Sequence, residues 1–143
     1  MAPARRASLR GLSILTFAAA LPALAQDPRA SVVVNASRDW LALVDRPDLA
    51  ASHARAGAKF RNAMTANEWS AAYEKERKPR GALVQRALYQ TRFDTKAPGA
   101  PLAGEYAFLV YRASFASNAD ARETVTLERE SDGVWRVVGY SIR

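Results

Sequence analysis

The sequence predicts an α+β domain, with three N-terminal helices packed on a curved four-stranded antiparallel sheet. Over residues 31–80, apolar residues recur every three or four positions, which is the spacing of one helix face. From residue 82 onward they alternate with polar residues, as in strands. Helices followed by a run of strands are typical of the α+β class, and the 118 residues after position 25 suffice for one core. We therefore predict a single domain over residues 26–143.

The first two helices are predicted from their apolar faces and their ends. Residues 31–44 carry one apolar face, and Pro47 ends that helix. Asp48 is expected to cap a second helix, whose apolar face continues from Leu49 to Met64 without a break.

A capping box marks the start of the third helix. Thr65 and Glu68 have the spacing at which each side chain accepts a hydrogen bond from the other residue's backbone N–H. Trp69 and Tyr73 then lie on the inner face of this helix, and Pro79 and Gly81 end it.

Alternation predicts four strands, at residues 82–93, 105–117, 123–130 and 134–142. A loop rich in proline and glycine, residues 96–101, separates the first two. Asp132 and Gly133 predict a type I′ hairpin turn between the last two strands, in which both residues have positive φ.

Large aromatic residues inside the elements predict the core. They are Trp40, Phe60, Trp69, Phe108 and Trp135. Trp135 lies beside the predicted hairpin turn. For this residue the alternative to a core position is a surface position that contacts a partner.

The first 25 residues have the features of a secretory signal peptide. Arg5, Arg6 and Arg10 precede a short apolar run, and residues 23–25 (Ala-Leu-Ala) form a cleavage site. A membrane anchor is the alternative, but the run is shorter than the roughly 20 residues that a span requires. The paired arginines also allow the twin-arginine route, although their flanks fit the general route better. We expect export to the periplasm or the extracellular space, with no transmembrane segment in the mature chain.

Charge and composition narrow the class of partner. The chain has a net charge of +7, and loss of three basic residues with the signal leaves +4. The remaining charges are scattered, and even the densest run, residues 75–80, contains an acid. Because nucleic-acid binding needs clustered basic residues, we predict no nucleic-acid partner. Arginine outnumbers lysine by 17 to 4, which suggests a GC-rich bacterial genome.

Several kinds of chemistry are excluded by residue types. With no cysteine and one histidine, the chain has no disulfide, no thiolate nucleophile and no multi-histidine metal site. It also lacks a G-x-S-x-G elbow, a phosphate-binding loop and a dinucleotide-binding glycine motif. We expect no metal and no cofactor, and the residues do not reveal an activity.

Short strings along the mature chain resemble those of a known family. They are Trp40-Leu41 with Asp45, Lys59-Phe60, Glu68-Trp69, Arg77-Lys78-Pro79-Arg80-Gly81 with Arg86, Glu123-Thr124-Val125-Thr126-Leu127, and Asp132-Gly133-Val134-Trp135-Arg136-Val137-Val138-Gly139-Tyr140. In order and spacing these strings resemble the bacterial domain-of-unknown-function family 4019, small exported proteins with helices followed by a sheet. Ser52-His53 departs from the Ser-Trp that is common in the family.

The family resemblance implies no activity, because the family has no established one. More loosely, the layout is similar to the cystatin-like or NTF2-like α+β cone, where helices pack into a bent sheet and can leave a pocket. This likeness at the level of the fold is a weak guide to function.

Arg86, Arg112 and Tyr140 are the candidate ligand-binding residues, and no catalytic residue is predicted. The two arginines interrupt strand faces that are otherwise apolar. There an arginine must pair with a carboxylate, extend to solvent or line a cavity. In a cone-shaped sheet both would point into the hollow and bind an anionic group. The alternative is a structural ion pair with Glu105, Glu123 or Glu128.

His53 is the single side chain whose unperturbed pKa lies near neutrality. One interpretation makes it a general base at the mouth of a pocket. The other places it on the packed face of the second helix, and its spacing from Leu49 and Phe60 favours that interpretation. A base also needs an orienting carboxylate, which the sequence does not identify.

Two functions of different classes follow from these observations. The first is a non-catalytic exported module that binds a small ligand or an envelope protein, because few catalytic residue types are present. The alternative is a small cone-fold enzyme of isomerase or dehydratase type, with an Asp, Tyr or His in its pocket. A component of an envelope assembly would instead show an exposed apolar patch or an open sheet edge.

Overall fold

The computed structural model describes residues 27–100 and 102–143, so the predicted signal peptide lies outside the described residues. The described part is an α+β domain with four α-helices, a π-helical turn, a 3-10 turn and a four-stranded antiparallel sheet. The fold class and the four strands are confirmed, although the third strand begins at Asn118, five residues before its predicted start. There are four helices where three were predicted. None of the helices in these residues is both long and apolar enough to cross a membrane.

The helices precede all four strands. They are α1 (Arg29–Asp45), α2 (Leu49–Arg55), α3 (Ala58–Ala63) and α4 (Ala66–Ala72), and α4 continues into the π turn (Tyr73–Arg77) and the 3-10 turn (Lys78–Arg80). The strands are β1 (Leu83–Asp94), β2 (Tyr106–Phe115), β3 (Asn118–Arg129) and β4 (Trp135–Ile142). Each strand pairs with the next, which leaves β1 and β4 as the edges of an open sheet. An open sheet does not confirm the predicted cystatin-like or NTF2-like cone.

The predicted second helix is two helices, α2 and α3, and the prediction of one unbroken helix is wrong. Gly57 lies between them in an extended conformation, and its N–H donates to the carbonyl of Val137 in β4 over 2.7 Å. A Cβ atom on Gly57 would lie 2.8 Å from Glu130 Oε1 and 2.9 Å from Val138 Cγ1. The helix therefore breaks where its backbone contacts the sheet edge, which the helical spacing of the side chains did not indicate.

The capping box at the start of α4 is confirmed. Thr65 Oγ1 accepts the N–H of Glu68 at 3.2 Å, and Glu68 Oε2 accepts the N–H of Thr65 at 2.7 Å. Trp69 and Tyr73 are buried on the inner side of this segment. Gly81 then ends it with a φ of +80°, a value that favours glycine.

The hairpin between β3 and β4 is confirmed, but its turn is not of type I′. Gly133 has a φ of +81°, whereas Asp132 does not have positive φ. The Gly133 N–H donates to the Glu130 carbonyl at 2.8 Å, and the Glu130 N–H donates to the Val134 carbonyl at 3.0 Å. This pattern is typical of a three-residue hairpin loop whose last residue is a left-handed glycine.

The inner face of the sheet packs on the helices around a tryptophan pair. The ring centroids of Trp40 and Trp69 lie 5.6 Å apart, and Phe60 packs edge-on against both. Fully buried Ser52 holds both indoles: its carbonyl accepts from Trp40 Nε1 at 2.8 Å, and its Oγ accepts from Trp69 Nε1 at 2.9 Å. These three aromatic residues are core residues as predicted, and Trp135 is also buried.

Phe108 is the one predicted core aromatic that lies elsewhere. It is half-buried on the outer face of the sheet, opposite the helices, with the Arg92 guanidinium 4.4 Å from its ring centroid. Its neighbours Ala107 and Leu109 are fully buried on the inner face. Because side chains alternate along a strand, Phe108 must point the other way.

Candidate functional site

Arg86 of β1 is held between two carboxylates on the inner face of the sheet. Its Nε and Nη2 donate to the two oxygens of Glu123 in β3, at 2.5 and 3.1 Å. Its Nη1 and Nη2 donate to the two oxygens of Asp45, the last residue of α1, at 2.7 and 3.0 Å. The Arg86 side chain is 12% exposed and Glu123 is fully buried. Charges removed from water in this way are tolerated because they are paired and hydrogen-bonded.

Arg77 of the π turn completes this charge network, which consists of Asp45, Arg77, Arg86 and Glu123. Its Nη2 donates to Asp45 Oδ1 at 3.2 Å and its Nη1 to the Gly81 carbonyl at 2.7 Å. The guanidinium carbon lies 4.1 Å from the centroid of the Phe115 ring. Two cations and two anions give the network a formal charge of zero.

Tyr140 of β4 joins the network through its hydroxyl, which donates to Glu123 Oε1 at 2.7 Å. Burial and the neighbouring charge of Glu123 raise the pKa of Tyr140 far above its usual value. Burial lowers the pKa of Arg86, but its hydrogen bonds with Asp45 and Glu123 outweigh that effect and raise it overall. Tyr140 therefore keeps its proton and Arg86 its charge, and both donate to Glu123.

A cleft of about 330 Å³ lies beside the network, between the helices and β4. We call it the helix–sheet cleft. Its walls are mainly apolar, with Phe60, Met64, Trp69, Tyr73, Val138 and Ile142 among them, and Glu76, Arg77 and Tyr140 also lie on its lining. Its volume is at the lower end of the range for small-molecule sites, and its apolar lining with few polar groups is typical of them.

A larger cleft, of about 640 Å³, lies where α3 meets the outer face of the sheet, with Lys59, Asn62 and Ala63 on its lining. Tyr106, Phe108 and residues 97–100 contribute to its lining. None of the three predicted ligand-binding residues contributes to this cleft, whereas Tyr140 lines the helix–sheet cleft. The helix–sheet cleft is therefore the candidate site.

Arg112 lies on the outer face of β2, away from the charge network. It pairs in register with Ala87 of β1 and Arg122 of β3, and its guanidinium carbon lies 4.5 Å from the centroid of the Tyr89 ring. The structure thus brings Arg86 and Tyr140 together around one carboxylate and places Arg112 on the opposite face. The two arginines do not point into one hollow.

His53 of α2 lies behind the cleft wall. Its Nε2 is 2.8 Å from the Met64 carbonyl, and its ring packs edge-on against Phe60. In the described residues its side chain forms no ion pair or hydrogen bond with a carboxylate. The arrangement is that of a packed side chain with its polar atom engaged by the backbone.

Sequence reasoning found one of the two carboxylates that hold Arg86. Glu123 is one of the three acids that the sequence offers as partners, whereas Glu105 and Glu128 pair with Arg129 and Lys59. The strand pattern does not connect Asp45 or Arg77 with Arg86, because both residues belong to the helical half of the chain. The available signal was that both lie in the strings that resemble family 4019.

Residues 36–140 match a family model described as a protein of unknown function (DUF4019). No curated protein and no solved structure matches the chain. Among the described residues there is no group of three or more His, Asp or Glu placed to hold a metal ion.

Proposed function

The chain belongs to the DUF4019 family, and within it we propose that this protein is an exported, non-catalytic module that binds a small, mainly apolar ligand in the helix–sheet cleft. The observation that carries the proposal is an apolar cleft beside a charge network whose formal charges balance. A ligand in this position gains apolar contact, and the carboxylate on the lining, Glu76, is half-exposed and lies 3.7 Å from the ammonium group of Lys75.

The lining of the cleft supports an apolar ligand. Phe60, Trp69 and Tyr73 offer aromatic surfaces, and Met64 adds a flexible side chain that adapts to irregular shapes. The Tyr140 hydroxyl is already engaged by Glu123, so the phenol ring is what this residue offers to a ligand.

The hydrogen bonds of the titratable groups favour binding over catalysis. A general acid or base must reach the proton that it transfers. Glu123 accepts from Arg86 and Tyr140 instead, and His53 contacts the Met64 carbonyl. Each group is held in place by the fold.

Export is part of the proposal and rests on the sequence of the first 25 residues. An exported chain meets its ligand in the periplasm or outside the cell, so we expect an envelope metabolite or lipid, or a segment of an envelope protein, as the occupant. Nucleic acid is not expected there.

A cystatin-like or NTF2-like cone remains our proposal for the finer architecture. It is supported by helices on one face of a four-stranded meander and by register shifts that skip Val84, Tyr89 and Val138. Bulges of this kind bend strands and increase their twist.

An isomerase or dehydratase is the second candidate, and Tyr140 is the observation that favours it. This residue lines the cleft and carries a phenolic proton, and tyrosine is one of the side chains that can act as a general acid. Its proton is directed at Glu123, however, which makes binding the better-supported function. Chemical change in a bound compound, detected by mass spectrometry after incubation, would support the enzyme.

A thermal-shift series with straight-chain alcohols of increasing length tests the binding proposal. We expect the melting temperature to rise with chain length until the cleft is filled. A ligand at about 100 times its dissociation constant adds about 2.7 kcal/mol of stability. Ala72→Trp, at a position that lines the cleft, should fill it and abolish the rise.

Ala71→Trp is the matched control, since Ala71 is an exposed neighbour on α4 that does not line the cleft. It should leave the rise intact. A folded wild-type chain that no alcohol stabilises, or an Ala72→Trp variant that responds like the wild type, would contradict the proposal.

A further inference from the structure

Three arginines form a row across the outer face of the sheet. Arg112 of β2 is opposite Arg122 of β3, and Arg122 and Arg143 exchange backbone hydrogen bonds of 2.9 and 3.0 Å. All three side chains are exposed. The residues adjacent to them in the strands, Ala113, Ala121 and Ile142, are buried together on the inner face. By alternation, the arginine row points away from the helices.

The arginine row has no carboxylate partner in residues 27–100 and 102–143. The arginine ion pairs in this part of the chain belong to other residues: Arg29, Arg77, Arg86, Arg92, Arg129 and Arg136. Asp120 lies two residues before Arg122 on the same strand and forms no ion pair with it. Like charges directly opposite each other in a sheet are destabilising. We therefore expect repulsion within the row to lower the free energy of unfolding of the isolated chain. An external anion bound to the row would reduce that repulsion.

The arginine row is flanked along the strands by uncharged side chains and, on β1, by an aromatic side chain. The next row of outward residues consists of Gln90, Val110, Thr124 and Ser141. Tyr89 of β1 is 58% exposed and stacks against Arg112, and Val84 of the same strand is 69% exposed. An exposed aromatic side chain thus adjoins the positive row.

We propose that the outer face of the sheet docks on a membrane surface that contains anionic phospholipids, with the arginine row binding the lipid phosphates. Guanidinium groups bind phosphate in a forked, two-point geometry. Neighbouring strands are about 4.8 Å apart, so the row spans roughly 10 Å and presents several charges to one plane. Tyrosine is enriched at the membrane–water interface, which suits Tyr89. This surface is separate from the helix–sheet cleft and does not depend on it.

Vesicle co-sedimentation tests the docking surface, with protein purified from cells that express the full 143-residue sequence. We expect binding to phosphatidylcholine vesicles that contain phosphatidylglycerol, little binding to phosphatidylcholine alone, and weaker binding as salt is raised. The variant Arg112→Gln/Arg122→Gln/Arg143→Gln should lower the partition coefficient about fivefold for each arginine removed. Asp120→Asn should raise it.

The control variant, Arg38→Gln/Arg46→Gln/Arg55→Gln, removes the same charge from exposed positions on the helical layer. It should bind nearly as well as the wild type. An equal loss in both triple variants, the absence of binding to anionic vesicles, or preferential binding to soluble polyglutamate would overturn the proposal. Circular dichroism of each variant confirms that the compared proteins are folded.

Discussion

Arg86 and Arg112 lie on neighbouring strands of one sheet, yet their surroundings differ in almost every respect. On the inner face, two carboxylates and the helices enclose Arg86. On the outer face, Arg112 has the ring of Tyr89 on one side and a second arginine, Arg122, on the other. The inner arginine is part of the folded core, whereas the outer one is exposed to solvent.

The difference shows that an arginine in an apolar strand does not have a fixed role. Burial with paired carboxylates makes Arg86 necessary for stability, because removing one member leaves a buried charge uncompensated. Arg112 is exposed and has no carboxylate partner in the described residues, so we expect its side chain to be available for binding. Variants at matched positions on the two faces test this contrast.

Two carboxylates on opposite faces of β3 provide the largest expected difference. Glu123→Gln should lower the free energy of unfolding by about 3–5 kcal/mol, since it leaves Arg86 without one of its partners in the core. Glu128→Gln, which releases the half-exposed Lys59, should cost less than about 1 kcal/mol. Urea unfolding at neutral pH measures both. Similar decreases in the free energy of unfolding of the two variants would contradict the claim that the inner carboxylate matters more for stability than the outer one.

Replacing each arginine by lysine keeps the positive charge but removes the planar guanidinium group and its paired N–H donors. Arg86→Lys should cost about 2 kcal/mol, because one ammonium group does not reproduce four hydrogen bonds to Asp45 and Glu123. Arg112→Lys should change stability by no more than about 0.5 kcal/mol. The same unfolding assay applies, and a loss at Arg112 as large as that at Arg86 would show that the outer face is also structural.

The pH dependence of stability sharpens the contrast further. Burial and Glu123 raise the pKa of Tyr140, so above about pH 10 the folded chain keeps a proton that the unfolded chain releases. The contribution of Tyr140 to the free energy of unfolding is complete below that pH. It is lost as the pH rises, at about 1.4 kcal/mol per pH unit. Tyr140→Phe should therefore show a shallower decline in the free energy of unfolding.

Tyr89→Phe is the control for this measurement, since Tyr89 is exposed on the outer face. Lys59 and Lys78, whose pKa values are raised by hydrogen bonds with Glu128 and Glu74, contribute the same decline to both variants. Denaturant unfolding across alkaline pH gives the slopes. Equal slopes for Tyr140→Phe and Tyr89→Phe would exclude Tyr140 as the source.

Local patterns in the chain determined most of the secondary structure. The four strands follow from alternation, and the start of α4 follows from Thr65 and Glu68, which satisfy each other's backbone within four residues. Periodicity also identified the core positions Trp40 and Trp69. These features depend on interactions between residues that are close in sequence, so the sequence alone specifies them.

The tertiary structure decided the features that depend on contacts between residues far apart in the sequence. The break at Gly57 depends on a hydrogen bond to β4, 80 residues along the chain, and no local pattern records it. The sequence placed Arg86 in an apolar strand and named Glu123 as one possible partner, but only folding brings Asp45 and Arg77 to the same place. Folding also places Arg112 and Arg86 on opposite faces of the sheet. Whether two side chains on neighbouring strands lie on the same face depends on the register of the strands, and pairing and bulges set that register.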